Sequence, residues 1–214
     1  MLCTAGANAG IISFADTFGP AAVPFPSAPL VTLSLFDPAL GTLTKVTLTL
    51  DANTSGGRIA WDNEAPFETD VTLGIGARVT AVGLGGITLV AVPLQIGSAV
   101  GIAADNDGAA DFVGTDSFSV VGGSGSDSDM AMLTTGFGVY IGLGTFDVDV
   151  SAIVETFLST TGGYGPIDPV PGNTDGTVTV TYEFSSIPEP STALLLASGL
   201  AALAVRSGIR RRGW

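Results

Sequence analysis

An all-β fold, a β-sandwich of jelly-roll type followed by a single hydrophobic helix at the C-terminus, is predicted by three features of this 214-residue sequence. Short runs of Val, Leu, Ile and Thr alternate apolar and polar residues at period 2, the pattern of a strand with one wet face. Thirty glycines and twelve prolines punctuate those runs, Gly supplying positive φ and Pro presetting turns. Apolar residues make up 46% of the chain, which supports one sizeable core and argues against disorder.

The elements follow in chain order. MLCTAGANAG opens without a cationic stretch, yet Ala7-Asn8-Ala9 has the small-x-small form that signal peptidase favours, so residues 1–9 read as the remnant of a signal peptide. A strand is expected at IISFA near residue 11, and another at LVTLSLF with Val31, Leu33 and Leu35 inward. In FDPALGTL, Asp37 is placed to accept backbone hydrogen bonds, Pro38 fixes φ and Gly41 permits the exit from a hairpin corner. LTKVTLTLD turns Val46, Leu48 and Leu50 inward and Lys45, Thr47 and Thr49 outward. RIAW near 58, DVTLGIGA near 70, ITLVAV near 87 and DSFSVV near 116 supply further strands. TFDVDV turns Phe146, Val148 and Val150 inward, and TVTVTYEF does the same with Val178, Val180, Tyr182 and Phe184. Between them, GGSGSDSD (122–129) and TGGYGPIDPVPGNTDG (161–176) read as exposed loops. Some nine short strands joined in this way indicate a sandwich.

Charge divides the chain in two. Residues 1–186 hold 19 acids against Lys45, Arg58 and Arg78, a balance of 3 − 19 = −16, whereas the last 28 hold four arginines against Glu189. The body should therefore repel nucleic acid and anionic headgroups. In the tail, Ser191 to Ile209 is 19 residues, which as a helix rises about 28 Å and just spans a hydrocarbon core. Pro188 and Pro190 cannot continue such a helix, and Ser191 with Thr192 can cap it. Arg206, Arg210, Arg211 and Arg212 then act as a stop-transfer signal on the cytoplasmic side, leaving the body outside.

FDPALGTLTKVTLTLDANTSGG and VTVTYEF resemble the opening signature and closing strand of the bacterial choice-of-anchor E domain, over roughly residues 11 to 184. That resemblance implies an exported surface protein with one globular domain and an interchangeable C-terminal anchor, and it carries no catalytic residue. The order Pro188-Glu189-Pro190-Ser191-Thr192, apolar helix, arginine cluster resembles a PEP-CTERM sorting signal. It implies recognition by an exosortase, transient anchoring in the inner membrane, removal of the anchor and delivery to the cell surface or extracellular matrix, usually in Gram-negative bacteria that make exopolysaccharide. The expected organisation is a signal-peptide remnant at 1–9, the sandwich at 10–184 and the sorting segment at 185–214.

Chemistry is sparsely signalled. Absence of histidine excludes Ser-His-Asp and Cys-His catalysis and histidine-containing zinc sites, and Cys3 alone allows no intrachain disulfide. ADNDGAADFVGTD gathers hard oxygen ligands, with Asp105, Asp107 and Asp111 as candidate calcium ligands and Asn106 and Asp116 nearby. It is no EF-hand: setting Gly108 at the sixth loop position puts Ala103 first and Gly114 twelfth, where carboxylates are required. Asp147 and Asp149 share one outward face about 7 Å apart, a spacing that any D-x-D strand gives and that suits a solvated, edge-protecting face better than a glycosidase pair. Trp61 reads as core before it reads as a sugar platform. The expectation is a non-enzymatic structural or adhesive protein of the surface or biofilm matrix, without a cofactor except calcium as a candidate. Its rivals are a carbohydrate-binding module and a carboxylate-based glycan hydrolase.

Overall fold

A computed structural model describes residues 9–105 and 108–186. The alternating runs form twelve strands: β1 (Ala9–Ala22), β2 (Phe25–Ser34), β3 (Gly41–Ser55), β4 (Arg58–Asp62), β5 (Thr69–Val82), β6 (Thr88–Ala91), β7 (Leu94–Ile102), β8 (Ser117–Val121), β9 (Ser124–Leu133), β10 (Thr145–Thr160), β11 (Ile167–Val170) and β12 (Asn173–Ser186). All pair antiparallel, in sheets ordered β1-β12-β3-β9, β2-β10-β5-β6 with β7 also on β5, and β11-β4-β8.

The pairing is nested. First strand pairs with last (β1 with β12), β2 with β10, β3 with β9, and β5 with β6 and β7 at the centre. A ribbon nested in this way and wrapped on itself is a jelly roll, whose two sheets are closed by the further pairs β12–β3 and β10–β5. β6 and β7 serve as one strand, since their register on β5 runs on from Val79↔Ala91 to Gly76↔Leu94 across Pro93, which has no amide to donate.

The period-2 pattern puts one face of each strand into a common core. Val46, Leu48, Leu50, Val178, Val180 and Tyr182 from one sheet meet Val31, Leu33, Val79, Phe146, Val148 and Val150 from the other, and all are buried. Leu35 and Phe184, also expected inward, are partly buried at the rim. Tyr182 lies against Phe14 and Phe36 and donates its hydroxyl to the Ser34 carbonyl at 2.8 Å, so its polar end is satisfied. A second apolar cluster joins Ile59 and Trp61 of β4, Val71, Leu73 and Ile75 of β5, and Ile102 of β7. β5 therefore presents one continuous buried row, Val71 to Ala81, whose two halves serve different cores.

The two ends of the jelly roll differ. At one end the β2–β3, β5–β6 and β9–β10 connections each make a 3-10 turn, at Pro38–Leu40, Leu84–Gly86 and Phe137–Tyr140. There Asp37 accepts the Ala39 amide at 2.8 Å with Pro38 in the first turn, as the sequence led us to expect. Gly41 has φ of 153°, and a Cβ there would collide with the Ser185 carbonyl. At the other end the β3–β5, β7–β9 and β10–β12 connections carry β4, β8 and β11, whose pairing builds a cap over the second cluster. β1 begins and β12 ends at the 3-10 end, with Ala9 opposite Ser185.

Three expectations are corrected. Residues 122–129 are not a loop: Ser124–Leu133 forms β9, an edge of the first sheet. Within 161–176, Ile167–Val170 forms β11 and β12 starts at Asn173. Asp147 and Asp149 do point outward, but Asp149 stands between Pro29 of β2 and Val82 of β5 and so protects no edge; Asp147, paired with β2 alone, accepts the Thr32 hydroxyl at 2.9 Å. The helix expected at Ser191 to Ile209 and residues 1–8 lie outside the described residues; among those described, no helix is long and apolar enough to cross a membrane.

Candidate functional site

Two regions carry the polar chemistry of the body: the capped end and the seams between sheets. At the capped end, Ala103, Phe112 and Asp116 meet the end of β4 and the residue after it. Asp62 and Asp116 are each 2% exposed. The Asp62 carboxylate accepts the Phe112 amide at 2.9 Å, and the Asp116 carbonyl accepts the Asn63 amide at 2.9 Å. Asn63, also buried, donates its side-chain amide to the Phe67 and Ala103 carbonyls at 3.0 and 2.7 Å and accepts from the Ala65 amide. This cluster acts as a clamp that ties three loop segments together. Phe112 holds φ of 60°, a conformation few bulky residues adopt, within that clamp.

The candidate calcium residues fall in the same loop. Asp105 accepts the Gly108 amide at 2.8 Å and Asp111 accepts the Val113 amide at 3.0 Å, both as local turns. Asp107 and Asn106 lie outside the described residues. Among the described residues no group of three carboxylates or thiols is arranged to hold a metal ion. Trp61 is fully buried in the cap core, with its indole NH unpaired, so it offers no surface to a sugar.

The seams use aspartate in a different way. Asp16 of β1 accepts the Thr32 amide of β2 and the Thr17 amide, each at 2.9 Å, which holds its carboxyl below the usual range. On the opposite side, Asp129 and Asp127 of β9 accept the Val90 and Val92 amides of β6 and its extension at 2.9 and 2.6 Å. Edge-strand amides that would otherwise template another chain are thus bound by carboxylates from the facing sheet. Sequence reading missed all three roles, because a carboxylate on a polar strand face is indistinguishable from a solvated one until the facing edge is known.

The outer face of the first sheet is a polar grid. Thr49 stands opposite Thr179, Thr47 opposite Thr181, and Asp51 opposite both Thr177 and Ser128. Asn53 donates to Asp175 at 3.3 Å, and a shallow depression beside them is lined by Asp51, Asn53, Ser126, Asp127 and Ser128. Such a surface presents hydroxyl, amide and carboxylate groups side by side.

The sorting residues Pro188, Glu189, Pro190, Ser191, Thr192, Arg206, Arg210, Arg211 and Arg212 lie outside the described residues. The family described as the PEP-CTERM protein-sorting motif matches residues 186–212. The match supports the C-terminal signal, and with it recognition by an exosortase, export and membrane-associated processing. No curated protein matches the chain. Similar solved structures include those of the infectious bursal disease virus Gt strain, at 10% identity over 94% of this chain and 50% of that one with a TM-score of 0.13. The Gx strain of the same virus aligns at 14% identity over 95% and 49%, with a TM-score of 0.12. The chain spans about half the length of those viral chains.

Proposed function

We propose that the body is a non-catalytic structural or adhesive component of the cell surface or exopolysaccharide matrix of a Gram-negative bacterium, built on a choice-of-anchor type domain. The observation that carries this reading is the junction at Ser186, where the last strand ends and the matched sorting motif begins. The signal follows the last strand directly, so the sandwich is part of whatever the signal delivers. Its strongly acidic surface suits a protein that must stay soluble after losing its anchor.

The polar grid on the first sheet favours a second function for the same protein, binding of exopolysaccharide hydroxyls through Thr, Asn and Asp side chains. Calcium would enter only as an aid to that binding, through Asp105, Asp107 and Asp111.

Mass spectrometry of the exported protein tests the sorting half: the mature chain should lack Arg210 to Trp214, and a mature chain that keeps them refutes processing. Replacing Arg210, Arg211 and Arg212 by Gln should retain unprocessed precursor in the cell. Retention of the processed protein by the producer's own matrix tests the adhesive half. Equal recovery in the medium whether or not matrix polysaccharide is made would refute it.

A further inference from the structure

Among the described residues, the end of β10 nearest the cap has no strand partner on one side. β10 is 16 residues long and β2 only 10, and the β2 ladder stops at Ala152↔Phe25, whereas the β5 ladder continues to Thr160↔Val71. Among the described residues, Ile153 to Thr160 is therefore bonded through β5 alone. The direction of its free groups follows from the ladder. The Thr32 amide donates to Asp16, so the Thr32–Asp147 pair is not a hydrogen-bonded one and Asp147 turns its amide away from β2, to the side that β5 takes from Asp149 onward, as the Thr161 amide does in donating to the Asp70 carbonyl. Counting on by twos, Val154, Thr156 and Leu158 turn their amides and carbonyls outward.

This edge differs from those of β2, β6, β8 and β11. The β2 and β6 edges are bound by Asp16, Asp129 and Asp127. β8 and β11 are five and four residues long, too short to template much. The free part of β10, IVETFLST, has no proline, no lysine and no bulge on β5. It exposes Ile153, Phe157 and Leu158 at 56%, 43% and 41%. Phe157 stands in register with Gly74 and Ile96, and a Cβ at Gly74 would lie 3.1 Å from the Phe157 Cβ and 3.4 Å from Ile96 Cγ1, so the three positions form one row across three strands.

We propose that this edge pairs with the same edge of a second copy of the chain, antiparallel about a two-fold axis at Phe157. Charge restricts the place. Copies carrying a balance of 3 − 19 = −16 over residues 1–186 repel one another over most of their surface. Ile153 to Thr160 holds one charge, Glu155, and Arg78 binds it with bonds of 3.0 and 3.2 Å. Antiparallel pairing of one segment with itself is self-complementary. Centred on Phe157, it sets the two rings opposite each other at a close, non-hydrogen-bonded position, pairs Thr156 with Leu158 of the second copy, and sets Glu155 opposite Ser159 rather than another carboxylate.

Disulfide trapping in the full-length chain tests this, with Cys3→Ser as background. Phe157→Cys should give a covalent dimer under mild oxidation, because opposed non-hydrogen-bonded positions fall within disulfide reach. Asp149→Cys, on the same face of β10 but between two partner strands, should not. Equal yields from the two, or no dimer from Phe157→Cys, overturns the proposal. Adding Thr156→Pro, which removes an outward amide, or Thr156→Lys, which leaves the backbone intact, should cut the yield about tenfold with an unchanged melting midpoint. If Thr156→Lys folds normally and the yield does not fall, pairing through this edge is refuted.

Discussion

Asp16 shows how one side chain joins two sheets. Its carboxylate accepts amides from β1 and β2, so ionisation is favoured in the folded chain, chiefly through Thr32 and then Thr17. A carboxyl depressed in the folded state stabilises at pH above its unfolded value, about 3.9, and that contribution is lost as pH falls through the folded value. Asp16→Asn should therefore be less stable than the parent at pH 7, with the gap closing below pH ~4. Urea titrations across that range measure it; a gap independent of pH would mean the carboxylate's charge plays no part. The tyrosines behave oppositely at high pH. Burial pushes the Tyr140 hydroxyl up to about 12 and Tyr182 further still, the latter also through Tyr140, while each donates to a carbonyl. The folded state thus favours the neutral phenol: its stabilising effect is complete below the unfolded pKa near ~10 and is lost as pH rises through the folded values. Denaturation followed from pH 9 to 12 should show stability falling only beyond ~10. A flat profile would contradict the burial argument.

At the level of elements, one sensitive contact is where β9 meets the other sheet. A Cβ on Gly125 would lie 2.2 Å from the Leu94 carbonyl, so only glycine lets the two backbones approach while Asp127 and Asp129 reach the facing edge. Gly125→Ala should cost about 1–3 kcal/mol, read from the denaturation midpoint. Gly56→Ala makes a useful comparison, because its φ of 69° is strained for alanine but nothing lies within 4 Å. A Gly125 variant no less stable than the Gly56 one would contradict the close approach. β9 also shows where the sequence was legible and where it was not. Strands with Val and Leu on one face, such as β3, β10 and β12, announced themselves because burial demands period 2. GSDSD has no apolar partner in that alternation: its inward groups are carboxylates whose partners are backbone amides on a strand distant in sequence. β11 was hidden by Pro169, tolerated in a four-residue strand with little ladder to lose. The Asp37 turn was readable since its chemistry is local, whereas the clamp around Asp62, Asn63 and Asp116 joins loops that only the fold brings together.

The whole molecule has a direction. Chain entry at Ala9 and exit at Ser186 lie at the 3-10 end, and the cap of β11, β4 and β8 lies at the other. β10 spans much of that axis, about 50 Å at the usual strand rise. The cap and the free edge of β10 are therefore at the end remote from Ser186, where the matched motif begins. Whether cap and sandwich unfold together is decided by β5, whose buried row passes from Val71, Leu73 and Ile75 in one core to Ala77, Val79 and Ala81 in the other without a break. A shared strand cannot leave one core and stay in the other without exposing half of that row. Leu73→Ala should accordingly destabilise by about 2–5 kcal/mol and lower both halves together. Trp61 fluorescence reports the cap once Trp214 is replaced by Phe, and far-UV circular dichroism reports the sheets. In the parent and in Leu73→Ala the two probes should give one coincident transition; a cap signal lost at lower temperature than the sheet signal would show that β5 does not couple them.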